Sequence, residues 1–251
     1  MSATATPQTL AGRCVLVTGG ARRIGAEIAR RLHAAGANVA VHHRTSVPEA
    51  DALVAGFERT RPGSAAAFAC DLNDVAALPT LVQAVCDRFG RLDVLVNNAS
   101  SFYPTPVGSI TAGQFEDLIG TNLRAPLFLS QAAAPFLRTT RGLILNLADI
   151  HGQRPLRGHP VYAAAKAGLI MLTKSLAREL GPEIRVNAIA PGPVLWPEQG
   201  IDAELREEII GKTALKRGGS PEDIARAAYF FAAEAPYVTG QVLAVDGGRS
   251  I

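Results

Sequence analysis

Cysteine is scarce in this chain. Cys14, Cys70 and Cys86 are the only three, odd in number and far apart, so they suggest neither a disulfide framework nor a metal-ligand spacing. All three sit in apolar segments, which reads as buried thiols in a reducing cytosol. No apolar run approaches the roughly 18 residues that would suggest a membrane span. Charge of one sign is also missing in quantity. Twenty-five Lys and Arg against 22 Asp and Glu leave a formal +3, spread without long runs, which gives no footprint for nucleic acid. Such a mildly basic surface favours, weakly, the approach of an anionic cofactor. Met1 to Thr9 lacks the basic start and apolar stretch of a signal peptide. It is expected to be a disordered tail on a cytoplasmic protein. Neither a repeat nor a linker divides the remainder, so residues 10–251 are expected to form one domain.

What is present is material for a core. Forty-eight per cent of the 251 residues are hydrophobic, enough for a globular domain. Cys14-Val15-Leu16-Val17 is a continuous apolar run, expected as a strand buried on both faces in a parallel sheet. A turn from Thr18 to Gly25 leads into a helical pattern through Leu32, and Asn38 to Val41 is the next strand. Glycines in such a turn let the backbone approach a pyrophosphate, and the helix start offers free amides. The unit therefore predicts dinucleotide binding.

The second strand ends in His42-His43-Arg44-Thr45. An NAD-selecting unit places an acid here for the ribose, and this chain has none. Arg44, with His43, suits a 2′-phosphate instead, since a guanidinium grips phosphate with two parallel bonds. The cofactor predicted is NADPH. Helices are expected over Pro48–Arg59 and Val75–Arg88, with a strand over Ala65–Ala69 between them. Asp71 is either an adenine contact or a cap for the second helix. Leu92–Val96 leads into Asn97-Asn98-Ala99-Ser100-Ser101-Phe102-Tyr103-Pro104, at a strand end where ligands bind. Taken alone, Phe102 reads as ordinary core. Phe115–Leu137 is expected as one long helix, with a kink or bound water near Asn122 caused by Pro126. Strands follow over Leu143–Leu147, Ile184–Ile189 and Gln241–Val245. Trp196 to Ala214 reads as a mobile substrate cover or as an exposed surface helix. Ser220-Pro221-Glu222-Asp223 is a strong helix start.

Between the fifth and sixth strands, Pro160 opens a helix carrying Tyr162 and Lys166. Four residues apart, they share a face one turn from each other. A nearby ammonium would stabilise the phenolate and lower the tyrosine pKa. Leu169, Leu172, Leu176 and Leu180 are expected as the apolar stripe, with Gly181-Pro182 as the stop.

In this order, Thr18-Gly19 with Ile24-Gly25, Asn97-Asn98-Ala99, Asn122, Tyr162 with Lys166, Pro191-Gly192, and Thr239-Gly240 before Asp246-Gly247-Gly248 resemble the short-chain dehydrogenase/reductases over nearly the whole chain. The resemblance implies a Rossmann-like, doubly wound α/β fold with about seven parallel strands, hydride transfer with NAD(P), and a homotetramer. It implies cofactor contacts from Gly19, Arg22, Arg23, Ile24 and Gly25. It places Asp71 and Leu72 near the adenine, Asn98, Ala99 and Ser100 along the middle, and Pro191, Gly192 and Val194 near the nicotinamide. Tyr162 and Lys166 serve the cofactor as well as catalysis. Asn122 would hold Lys166 through a water.

The departures are informative. The family has glycine where Arg23 and Ser100 stand, and serine where Asp149 stands. With His43-Arg44 and Phe102-Tyr103, these changes resemble the pteridine reductases and the bacterial dihydromonapterin reductases. There the Asp lies thirteen residues before the Tyr, as Asp149 does before Tyr162. The resemblance implies that Phe102 stacks a pterin against the nicotinamide and that Arg23 and Ser100 contact the pterin and a cofactor phosphate. Trp196 is expected near the substrate too. A pterin C=N bond takes hydride on carbon and a proton on nitrogen, and Asp149 with Tyr162 can hold that proton. The expected catalytic set is Asp149, Tyr162, Lys166 and Asn122, without a metal. The competing readings are a carbonyl reductase acting on 3-oxoacyl thioesters and, further off, a non-catalytic dinucleotide sensor.

Overall fold

The computed structural model describes residues 9–195 and 202–251. Most of the expected tail, and Trp196, lie outside the described residues. Thr9 does not fray: its hydroxyl and that of Tyr229 are hydrogen-bonded at 2.9 Å.

Short apolar runs become the strands of one parallel sheet: β1 (Cys14–Val17), β2 (Asn38–His43), β3 (Ala65–Ala69), β4 (Val94–Asn97), β5 (Leu143–Leu147), β6 (Arg185–Pro191) and β7 (Val242–Val245). Their order is β3-β2-β1-β4-β5-β6-β7. Every residue of β1, β4 and β5 is buried, because helices cover both faces. On one face α1 (Arg23–Ala34), α2 (Val47–Thr60) and α8 (Pro221–Tyr229) close over Val15, Val17, Val39 and Val41. On the other, α3 (Leu78–Phe89), α5 (Ala125–Thr140) and α6 (Pro160–Leu180) cover Leu16, Leu95 and Ile144. The strand order reverses between β1 and β4, and the crevice outside their carboxyl ends is where such a fold binds ligands.

Several elements differ from the sequence expectation. The long helix over Phe115–Leu137 is broken. It consists of α4 (Ala112–Ile119), a π-helical turn (Gly120–Arg124) and α5. Thr111 and Gln114 form a reciprocal capping box that starts α4 before Phe115. Pro126 has no N–H to give the Asn122 carbonyl four residues earlier, so the helical ladder cannot run on unbroken. Asp71 is not the cap of the following helix. Asp74 caps the 3₁₀ turn Val75–Ala77 that leads into α3, its Oδ1 accepting the Ala76 N–H at 3.1 Å, while Asp71 Oδ1 accepts from the Asn73 amide at 2.9 Å. The buried stripe of α6 runs through Lys166, Leu169, Ile170, Thr173, Ala177 and Leu180, leaving Leu172 and Leu176 on its flank. α7 (Ala203–Gly211) buries none of its residues and is a surface helix. Ser220 and Asp223 form the capping box expected at the start of α8.

One buried side chain ties three strand ends together. His42 Nδ1 accepts the Gly19 N–H at 3.1 Å, so its Nε2 carries the proton and donates to the Cys70 carbonyl at 3.0 Å. Burial holds this imidazole neutral and pushes its pKa from 6.5 down to about 4. The unfolded chain takes up this proton before the folded chain does. The stabilisation is therefore complete above pH 6.5 and is lost as the pH falls through about 4. By linkage it is worth roughly 3 kcal/mol. Denaturant unfolding at pH 7 and pH 4 should show His42→Asn losing less stability on acidification than the unaltered chain, by about that amount. Parallel losses in the two proteins would remove His42 from the acid response.

Candidate active site

The turn after β1 and the loop after β4 are stitched together by side chains. Thr18 Oγ1 accepts the amides of Asn98 and Ala99 at 2.9 and 3.0 Å, and Asn98 Nδ2 donates to the Thr18 carbonyl at 2.8 Å. Gly25 sits against this seam. A Cβ there would come within 2.3 Å of the Gly19 carbonyl oxygen and 2.5 Å of Asn98 Nδ2, so close approach requires glycine. Arg23, where glycine was the resemblance's norm, keeps the left-handed backbone with φ +54°. A non-glycine residue there carries strain of about 1–2 kcal/mol. The first-turn amides of α1 have no acceptor within the helix and face the crevice side of the sheet.

The end of β2 fits a further anion. His43 is buried, and its Nδ1 has no hydrogen-bond partner among the described residues. Arg44 and Thr45 are exposed immediately after it. A phosphate oxygen would satisfy the orphaned imidazole and the guanidinium together. Arg22 is engaged already, at 3.6 Å from Glu49, beside a groove of about 640 Å³ that Arg23 also lines. Leu72 is buried and Asp71 exposed at the end of β3. On the far side, Pro191 ends β6, and Gly192 and Val194 follow it. Asp246 accepts the amides of Gly248 and Ser250 at 2.9 and 2.8 Å, and its Cβ lies 2.5 Å from where a Gly192 Cβ would stand. The C-terminal turn thus braces that loop.

Tyr162, Asp149, Lys166, Asn122, Ser100 and Phe102 come together between these two ends. Asp149 closes β5 and caps the 3₁₀ turn Ile150–Gly152, Oδ1 accepting the His151 amide at 2.8 Å. Its Oδ2 accepts the Tyr162 hydroxyl proton at 2.7 Å. The expectation that Lys166 lowers the tyrosine pKa is corrected here. Burial and the adjoining carboxylate raise the Tyr162 pKa well above 10. Ionising the phenol would set a second negative charge against Asp149. Lys166 Nζ lies 5.7 Å from the phenol ring centroid and donates to the Leu147 carbonyl at 2.7 Å. Burial lowers its pKa to about 8, with Asp149 acting the other way. Asn122 makes no direct bond to Lys166. Its Nδ2 donates to the carbonyls of Ser101 and Leu118, both at 2.9 Å, and its Oδ1 accepts from Ser100 Oγ at 2.6 Å.

Phe102 is not core. It is 52 % exposed, stacked on His159 at 4.8 Å and 11°, with its edge arrangement to Tyr162 at 4.8 Å and 79°. Among the described residues no cluster of His, Cys, Asp or Glu is placed to hold a metal ion, and no helix is long and apolar enough to cross a membrane. Sequence reading missed His42, His159 and a buried ladder. In that ladder Asn97 Nδ2 donates to Asn146 Oδ1 at 2.8 Å and Asn146 Nδ2 to Thr173 Oγ1 at 2.9 Å. Polar residues inside apolar runs, Asn146 in Leu143–Leu147 and Thr173 in the α6 stripe, were the available signal.

Comparison with known proteins adds four findings. A family model described as enoyl-(acyl carrier protein) reductase matches residues 19–250. Pteridine reductase 1 of Leishmania tarentolae is 36 % identical, with 94 % of this chain and 96 % of that protein covered. The 3-oxoacyl-(acyl-carrier-protein) reductase of a Staphylococcus aureus strain is 38 % identical, covering 94 % and 97 %. Among solved structures, a blue fluorescent protein from a metagenomic library, in complex with NADPH, superposes with a TM-score of 0.91 at 36 % identity, covering 97 % and 100 %.

A buried ammonium weakens the fold that holds it. The Lys166 pKa falls from 10.5 to about 8 on folding, so below that range its charge costs on the order of 3 kcal/mol. The cost disappears as the pH rises from about 8 to 10.5. Without ligands, Lys166→Met should therefore be more stable than the unaltered chain at pH 7, with the gap narrowing at pH 10. Equal stability at both values would show that the charge is solvated.

Proposed function

The chain belongs to the short-chain dehydrogenase/reductase family, and on that premise we propose that it is an NADPH-dependent pteridine reductase acting on the C=N bonds of dihydropterins, with oxidised pterins and folates as further substrates. The observation that carries the reading is the 2.7 Å hydrogen bond from Tyr162 to Asp149. Reducing a ketone calls for a neutral donor to a developing oxyanion. A carboxylate beside the donor works against that, because it repels the charge being formed. Reduction at C=N instead delivers a proton to a basic ring nitrogen, which a carboxyl–phenol pair can hold and replace.

The bound dinucleotide supplies the hydride. This chain's residues do the rest. His43, Arg44 and Thr45 take the 2′-phosphate, and the turn from Gly19 to Gly25 with Arg22 and Arg23 takes the pyrophosphate. Asp71 and Leu72 border the adenine, while Pro191, Gly192 and Val194 border the nicotinamide. Lys166 holds the nicotinamide ribose and supplies positive potential. Phe102, half-exposed and backed by His159, offers a flat face to a bicyclic ring, with Arg23 and Ser100 as polar contacts. Tyr162 gives its proton to the ring nitrogen, with Asp149 as its hydrogen-bonded partner. Asp149 is half-buried, so a proton from solvent can restore it. The same reading carries a cytoplasmic homotetramer.

The alternative is a carbonyl reductase of the 3-oxoacyl thioester type, favoured by the likeness to the staphylococcal enzyme. NADPH consumption measured in parallel with dihydrobiopterin, dihydromonapterin, dihydrofolate and an acetoacetyl thioester separates the two. Pterin turnover is the result expected, and thioester turnover alone overturns the reading. Asp149→Ala should lower pterin reduction by about 10²-fold or more, and near-normal turnover would take Asp149 out of the mechanism. Arg44→Ala should raise the KM for NADPH far more than that for NADH; an equal effect on both would show that Arg44 does not meet the 2′-phosphate.

A further inference from the structure

The amino ends of the strands carry a feature that the cofactor crevice does not use. A cavity of about 290 Å³ lies there, at the end of the sheet opposite Tyr162 and Asp149. Its walls include Arg13 just before β1, Arg91 and Asp93 just before β4, Arg141 at the end of α5, and Arg185 at the start of β6. Four guanidinium groups line it against one carboxylate.

That carboxylate is already committed. Asp93 Oδ1 accepts from Arg91 Nη2 at 2.6 Å, and its Oδ2 accepts from Arg91 Nε and from the Cys14 amide, both at 2.8 Å. Arg13 donates to the Ala232 carbonyl at 3.2 Å. Arg185 donates to the carbonyls of Phe231 and Ala235 at 3.1 and 3.0 Å. These carbonyls belong to the π-helical turn Phe230–Glu234 after α8 and to the residue that follows it, so both arginines cap a helix end. Neither has an acidic partner among the described residues. Burial, and then the Arg13 charge beside it, push the Arg185 pKa below its usual value. Like charges are held together here without a counter-ion.

Capping explains Arg13 and Arg185, and pairing explains Arg91. Neither explains Arg141. Its backbone is left-handed, with φ +51°, at the C-terminal end of α5, a place where glycine avoids the strain of a Cβ. Its side chain is exposed at the cavity and makes no hydrogen bond or ion pair among the described residues. A strained residue that holds an unpaired cation beside three others points to something the group binds.

We propose that this cavity is a phosphate-binding site, taking a compact phosphate anion, free or carried by a small molecule, between Arg13, Arg91, Arg141 and Arg185. Guanidinium groups suit phosphate because they offer paired N–H bonds. Arg91 Nη1, Arg13 Nη2 and the whole Arg141 guanidinium have no protein acceptor among the described residues and remain available. A bound anion would tie the amino ends of β1, β4 and β6 to the end of α5. The site does not depend on which substrate the enzyme reduces.

The test is calorimetric titration of the NADPH-saturated full chain with inorganic phosphate, pyrophosphate and ribose 5-phosphate. Bound NADPH keeps the probes from the cofactor's own anion positions, and Arg44→Ala, titrated in the same way, should bind them as the unaltered chain does. Arg141→Gly should weaken binding about tenfold or more, the effect of losing hydrogen bonds between charged groups, and Arg141→Lys should weaken it less. Tighter binding of ribose 5-phosphate than of inorganic phosphate would assign the site to a phosphorylated small molecule, and the reverse to the free ion. Equal affinity in Arg141→Gly and the unaltered chain, or no saturable binding in either, would overturn the proposal. Thermal melting gives a second readout. Pyrophosphate should raise the midpoint of the NADPH-bound chain beyond sodium chloride at equal ionic strength, and should not do so in Arg141→Gly. A rise that sodium chloride reproduces is screening alone and would overturn the site. Without any probe, Arg141→Gly should melt no lower than the unaltered chain. A lower midpoint would show that Arg141 serves the fold and not a ligand.

Discussion

The rotation of α6 about its own axis is the constraint on which the site depends. A helix lying on a sheet can roll, and a roll of one residue would carry Tyr162 away from Asp149. Two buried bonds prevent it. Lys166 reaches the Leu147 carbonyl at one level of β5, and Thr173 meets Asn146 two turns further along. Asn146 is itself paired with Asn97, its register partner on β4. Buried amides and hydroxyls must find partners, so the ladder selects one roll angle, as apolar packing alone would not.

Electrostatics then sets what the positioned groups can do. Lys166 sits in a place that depresses its charge, and Tyr162 in one that holds its proton tightly. Each is uncomfortable alone. Their common neighbour Asp149 acts on both in the same direction, favouring the protonated form of phenol and ammonium alike. Such groups are what a fold selected only for stability would discard.

Much of this was legible in the residues. Continuous apolar runs marked the buried strands because helices on both faces leave no polar side to show. Asp149 and Tyr162 could be paired through the spacing and the resemblance before any geometry was known. The failures have physical causes too. Pro126 was noticed, but a proline near a helix start and one inside a helix look alike in sequence, and only the Thr111–Gln114 box shows that α4 had already begun. The tyrosine pKa was misjudged because the lysine one turn away was weighed alone, while burial, which sequence does not show, and the paired carboxylate both raise it. His42 looked like one more residue before an arginine expected to meet a phosphate. Its bonds run to Gly19 and Cys70, just past the ends of two other strands, and no local pattern records them.

The π-helical turn between α4 and α5 has a geometric result of its own. An extra residue within a helical turn is a change of phase, about 100° for each residue in a 3.6-fold screw. Before the turn, Leu118 looks toward Val161 and Tyr162; after it, Ala125, Leu129 and Ala133 look toward the sheet. One rod thereby serves two walls that no uniform screw could address at once.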